Sequence, residues 1–156
     1  MISLALNLDI GELHCTVKHL AASFENVGEI IEKYIRLSLD VVTLVEIRGL
    51  LQILWVRLFR LIRAHENEDF DYEGTKELID MIRRTRAELH NLAYEVLGQI
   101  QGEALNAVLV EYLKAIGNLY NAEIHLLDYL ITILREEMKS ACKDLEEIQP
   151  QIQSEK

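Results

Sequence analysis

Charge chemistry is densest where six of the nine arginines flank a short acidic stretch. Arg57, Arg60 and Arg63 precede the segment HENEDFDYEG (residues 65–74), and Arg83, Arg84 and Arg86 follow it. Guanidinium forks suit phosphate or carboxylate, so the set is a candidate contact for an anion or a partner. Asp80 and Glu88 lie four residues to either side of Arg84, so ion pairing inside the protein is the competing use. The acidic stretch offers carboxylates at alternate positions, Asp69, Asp71 and Glu73, with Glu77 and Asp80 beyond. Hard oxygen donors of this kind are what a calcium ion takes. Their plainer use is an acidic helix start, with Glu73 and Glu77 near the positive end of a helix dipole and Phe70 and Tyr72 packed over the bundle end.

The five histidines give no metal motif. A di-metal helical bundle uses Glu-x-x-His, and none of His14, His19, His65, His90 and His125 has Asp or Glu three residues earlier. His125 aligns with Asn118, Asn121, Asp128, Thr132 and Arg135 as a polar stripe, the pattern of a solvated face or a helix–helix contact. No cofactor is expected, and no metal beyond the acidic-loop candidate.

Three short resemblances attach to these residues. Arg60-Leu-Ile-Arg-Ala-His65 and Arg84-Thr-Arg-Ala-Glu-Leu-His90 resemble the Arg-x(4–6)-His spacing of HEPN-type helical ribonucleases. That resemblance implies a metal-independent RNA-cleaving pair at a dimer interface, with Arg60, His65, Arg84 and His90 as the catalytic candidates. Asp69 to Asp80 resembles an EF-hand loop, which would put Asp69, Asp71, Glu73, Thr75, Glu77 and Asp80 around calcium. His14 with Lys18 is similar to the His-x-x-Lys-Gly of histidine phosphotransfer bundles, with the lysine one residue late and His19 in place of the glycine.

Composition bounds all of this. The chain has 156 residues, half of them apolar and 27% charged, the balance of a folded domain. Its formal net charge of −10 opposes nonspecific nucleic-acid binding and an anionic membrane surface alike. Cys15 and Cys142 are far apart without motif spacing and read as reduced, small apolar residues in a cytoplasmic protein. The start MISLALNLDIGE lacks the basic region and long apolar core of a signal peptide.

The elements that must position these side chains are helices. One proline, at position 150, and seven glycines leave little turn chemistry for sheets. Val41 to Arg63 is the organising stretch: Leu44, Ile47, Leu50, Leu51, Leu54, Trp55, Leu58, Leu61 and Ile62 fill one unbroken arc at about 100° per residue. Val45, Ile53, Val56 and Phe59 lie among polar residues on the other side, so cover on more than one side is expected. Glu46, Arg48, Gln52, Arg57 and Arg60 rule out a membrane span.

Before it, Ile10, Leu13, Val17, Leu20, Phe24, Val27, Ile31 and Tyr34 keep three-four spacing, with Asp9 and Glu12 as a capping box and Leu8 stapling onto Leu13. The seam breaks at Ser38, and Ser38 or Asp40 can cap the second helix. A third helix is predicted from Thr75 to Leu97, closed by Gly98. A fourth runs from Glu103 to Ile148, about 70 Å if straight; it bends at Gly117 or its overhang pairs with another subunit. Residues 150–156 read as a polar tail.

The expectation is therefore an all-α antiparallel bundle of four long helices, five if Gly117 breaks the last. It would serve as a cytoplasmic, non-catalytic scaffold or interaction module that self-associates as a dimer, with another protein as a further partner. The alternative is a small HEPN-like ribonuclease or an anion- or nucleotide-binding protein at the arginine-rich end.

Overall fold

The computed structural model describes residues 10–36, 42–67, 69–97, 99 and 101–154. They form four α-helices: α1 (Ile10–Arg36), α2 (Val42–Glu66), α3 (Tyr72–Leu97) and α4 (Glu103–Ser154). There is no strand among the described residues. The expected cap and staple at Leu8 and Asp9, the caps at Ser38 and Asp40, and the glycine at 98 lie outside the described residues.

Each helix packs on two neighbours in a square: α1 on α2 and α4, and α3 on α2 and α4. Cross-helix pairs fix the directions. Lys33 meets Glu111, Asn26 meets Asn118, and His19 stacks on His125. The two residue numbers of each pair total 144, so α1 and α4 run antiparallel in one register. Arg57 with Glu77 sets α2 against α3, and Arg86 with Glu123 and His90 with Tyr112 set α3 against α4.

The core follows the expected arc with two departures: Leu50 and Trp55 are half-buried, and Val45, Ile53, Val56 and Phe59, for which cover was expected, are exposed. Leu44, Ile47, Leu51, Leu54, Leu58, Leu61 and Ile62 of α2 are buried. From α1 come Leu13, Leu20, Val27, Ile31 and Tyr34, with Val17 and Phe24 half-buried beside them. Each fully buried aliphatic side chain contributes about 1.5–3 kcal/mol by leaving water. Thr16 and Ser23 are also fully buried. Ser23 donates to the His19 carbonyl at 2.8 Å and approaches the Ala115 carbonyl at 3.5 Å. Small side chains on both helices thus let α1 lie close to α4.

Three boundaries differ from the sequence expectation. α3 begins at Tyr72 because Asp71 caps it: its Oδ1 accepts from the Gly74 N–H at 2.8 Å and its carbonyl from the Thr75 hydroxyl at 2.7 Å. α4 passes Gly117 without a break. A glycine costs about 1 kcal/mol in a helix, but Ala115, Leu119 and Ala122 around it are fully buried, and that packing outweighs the cost. α4 also runs through Pro150 to Ser154 instead of giving way to a tail. Proline removes one N–H there, toward residue 146, and Glu146, itself exposed, has water available for the freed carbonyl.

The cysteines differ too: Cys15 and Cys142 are exposed thiols. Cys15 stands one residue off the buried Thr16, a shift of about 100° that turns it to solvent, and Cys142 lies in the stretch of α4 where every residue from 137 to 148 is exposed.

Candidate functional site

The arginine set is not one cluster. Arg57 pairs with Glu77 at 2.9 Å near the acidic end. Arg83 and Arg86, about two turns further along α3, both reach across to Glu123 of α4. Arg60, Arg63 and Arg84 are exposed, and none has an ion-pair partner among the described residues. Six arginines at one bundle end is therefore corrected: the first three sit near the connection, while one turn of α3 places Arg83 and Arg86 toward α4. Arg84, expected to pair with Asp80 and Glu88, faces away; Asp80 lies 3.9 Å from Arg83 instead.

Glu123 is a buried carboxylate held by two guanidinium groups. Its carboxylate is only 10% exposed, with Arg83 Nε at 2.5 Å and Arg86 on the other oxygen. Burial alone would raise its pKa, but the hydrogen bonds from Arg83 and Arg86 outweigh that and hold it below the ordinary value. Arg86 in turn lies 3.9 Å over the Tyr120 ring. The sequence signal for Glu123 was weak, because its partners are 37 and 40 residues away.

The carboxylates of the acidic connection are spread over separate tasks. Asp71 caps α3, Glu77 holds Arg57 and Asp80 lies by Arg83. Among the described residues no group of three or more metal-ligating side chains converges. This stretch forms a capped helix start, with Phe70 packed against the core beside it.

The candidate catalytic residues lie in separate surroundings. His65 is buried, edge-on to Tyr129, with its Nδ1 3.3 Å from the Tyr129 hydroxyl and Phe70 alongside. Burial lowers the His65 pKa and pushes Tyr129 up to about 12. His90 lies toward the other end, exposed, 2.7 Å from the Tyr112 hydroxyl and edge-on to Tyr94. Arg60 and Arg84 face solvent on different helices. His14 is exposed beside a groove of about 550 Å³ lined by Phe59, Arg63 and Glu66.

The polar stripe of α4 is half contact and half surface. Glu111, Asn118 and His125, seven apart, meet Lys33, Asn26 and His19 of α1, also seven apart. Asn26 bridges the ladder, donating to Glu111 at 2.8 Å and accepting from Asn118 at 2.9 Å. Burial, then the charge of His125, lowers the His19 pKa. Asn121, Asp128 and Arg135 are exposed.

What stands out is the other side of α4. Its inward seam is Val108, Tyr112, Ala115, Leu119, Ala122, Leu126, Tyr129 and Ile133, buried or half-buried throughout. Continued at the same three-four spacing, that seam becomes Glu136, Ser140, Lys143 and Glu147. An outward seam runs on the opposite side: Val110, Leu113, Gly117, Tyr120, Ile124, Leu127, Ile131, Leu134, and then Met138, Ala141, Leu145 and Ile148. All but Gly117 and Leu127 of these are exposed, Leu113, Met138 and Leu145 by more than 60%. The helix therefore carries two heptad-like faces, one spent on its own bundle and one open.

The α1–α4 register puts Ile10, the first described residue of α1, level with Leu134. Arg135 to Ser154, twenty residues or about 30 Å, project past that level. A smaller apolar strip, Val42, Val45, Ile53, Val56 and Phe59, is exposed on α2.

Comparisons of the chain with models of protein families, with curated proteins and with solved structures find no match. No helix among the described residues is long and apolar enough to cross a membrane.

Proposed function

We propose that this chain is a non-catalytic helical interaction module that self-associates in the cytoplasm, with the outward seam of α4 as its contact. One observation carries the reading. Where α4 leaves the bundle, its inward seam turns polar while its outward seam stays apolar for four more positions, Met138, Ala141, Leu145 and Ile148. A projecting helix with nothing to bind would lose both seams to polar residues. An exposed apolar stripe of this length exceeds what a soluble monomer ordinarily carries, and three-four spacing is the pattern that packs against another helix. The dispersed arginines and the packed His65 support a scaffold over a ribonuclease. Sedimentation equilibrium at micromolar concentration tests the reading: a species of twice 18.0 kDa is expected, converted to monomer by Ile124→Glu/Ile131→Glu without loss of helicity. A wild-type chain sedimenting as a monomer would refute it.

A further inference from the structure

Resting on that self-association, we infer that the occupant of the outward seam is α4 of a second copy, laid antiparallel, with Ile131 of each chain opposite Leu134 of the other. Two features of the seam select this direction and register. The first is Gly117, the seam position with no side chain. Nothing lies within 4 Å of a Cβ built there, so the position is an open notch on the outer face. Counting outward from the Ile131–Leu134 layer in antiparallel steps, Gly117 falls opposite Ile148 of the second copy, the last seam residue. The branched side chain fills the notch, and it does so twice by symmetry. A parallel pair would set glycine against glycine and leave the notch empty at both faces.

The second feature is charge beside the seam. In the antiparallel register Asp128 of one chain flanks Arg135 of the other, again twice, and both are exposed and free of other ion pairs among the described residues. A parallel pair would instead bring Glu123 toward Asp128 in both copies, a like-charge contact. Antiparallel pairing brings Asp144 to Glu123 as well, and since Arg83 and Arg86 offset that carboxylate in either direction, the contact at Glu123 does not discriminate; the Asp128–Arg135 pair carries the choice.

The register accounts for the length of the helix. It pairs residues 117 to 148 over about 47 Å, so each projecting segment lies along the part of α4 that backs the other copy's bundle. The projecting seam residues and the outward seam from Gly117 onward are thereby covered together, while Val110, Leu113 and the apolar strip of α2 stay outside the pair. The two bundles then stand at opposite ends of one shared pair of helices.

Disulfide trapping in a Cys15→Ser/Cys142→Ser background tests this directly. Ile124 and Ala141 fall in one layer across the antiparallel pair, whereas in one helix they are about 25 Å apart. Ile124→Cys/Ala141→Cys should oxidise to a reducible dimer, and Ala141→Cys alone should not. Cross-linking by Ala141→Cys alone would overturn the inference in favour of a parallel pair. A sedimenting dimer that neither variant cross-links would overturn the seam assignment while leaving self-association intact. A monomer by sedimentation would remove both.

Charge exchange serves as a second readout that leaves the seam untouched. Asp128→Arg and Arg135→Asp should each weaken the dimer several-fold, and the double exchange should restore it. Failure of the double exchange to restore affinity would count against the antiparallel register.

Discussion

Replacing Glu123 with glutamine keeps the size of the side chain and removes its charge. The two charge-assisted bonds from Arg83 and Arg86, each of a kind that contributes about 1.5–3 kcal/mol, then become at best one neutral bond of about 0.5–1.5 kcal/mol. The new amide also turns N–H donors toward a guanidinium that has no acceptor left. Arg86 is 17% exposed and bears most of that loss, whereas Arg83, half exposed, recovers water. The expected cost is about 2–3 kcal/mol at pH 7.

A pH dependence follows from the depressed pKa of Glu123. Its stabilisation is fully present above its ordinary value of 4.5 and is lost as pH falls through the lower folded value. The gap between wild type and Glu123→Gln should therefore be flat from pH 7 to about pH 5 and close below pH 4.5. Urea unfolding followed by circular dichroism, at one protein concentration because dimerisation would couple to folding, measures it. A gap under about 0.5 kcal/mol at pH 7, or one undiminished in acid, would refute the reasoning.

Two further substitutions probe packing and capping. Leu54→Ala should cost about 2–5 kcal/mol, because the side chain is fully buried, while Ile53→Ala, 46% exposed one residue away, should stay within about 0.5 kcal/mol in the same unfolding assay. Comparable losses at the two would place the α2 core arc wrongly. Gly74→Ala brings a Cβ within 2.2 Å of Asp71 Oδ2 and must dislodge that cap. It should be neutral or destabilising alone yet stabilising by about 0.5–1 kcal/mol in an Asp71→Ala background, where only helix propensity remains. Equal effects in both backgrounds would dissociate the glycine from the cap.

The sequence by itself determined the helices and most of the core. Three-four spacing is a local property, so the arc from Leu44 to Ile62 and the seam from Leu13 to Tyr34 were legible without knowing what they pack against. Where competition between terms decided the outcome, spacing was insufficient. Gly117 and Pro150 read as interruptions because their backbone penalties are local, whereas the burial of Ala115, Leu119 and Ala122 that outweighs the first depends on α1 being alongside.

Ion pairs were legible only as composition. Arg84 with Asp80 and Glu88 had the spacing of a helical network, yet the side chains on that turn point to different neighbours. Glu123 took Arg83 and Arg86 from another helix because its side chain, only 10% exposed, faces both across the α3–α4 contact. The ladder of Lys33, Asn26 and His19 against Glu111, Asn118 and His125 was written at seven-residue intervals on both helices, but only the antiparallel approach of α1 and α4 matched one set to the other.

The two faces of α4 show the same division most plainly. Both have the periodicity of a buried stripe, and sequence gives them equal standing. Tertiary structure assigned one to the core, because α1 and α3 close over it, and left the other exposed at every position but Gly117 and Leu127. Apolar spacing specifies that a face is to be covered, while what covers it depends on which surfaces the chain brings near.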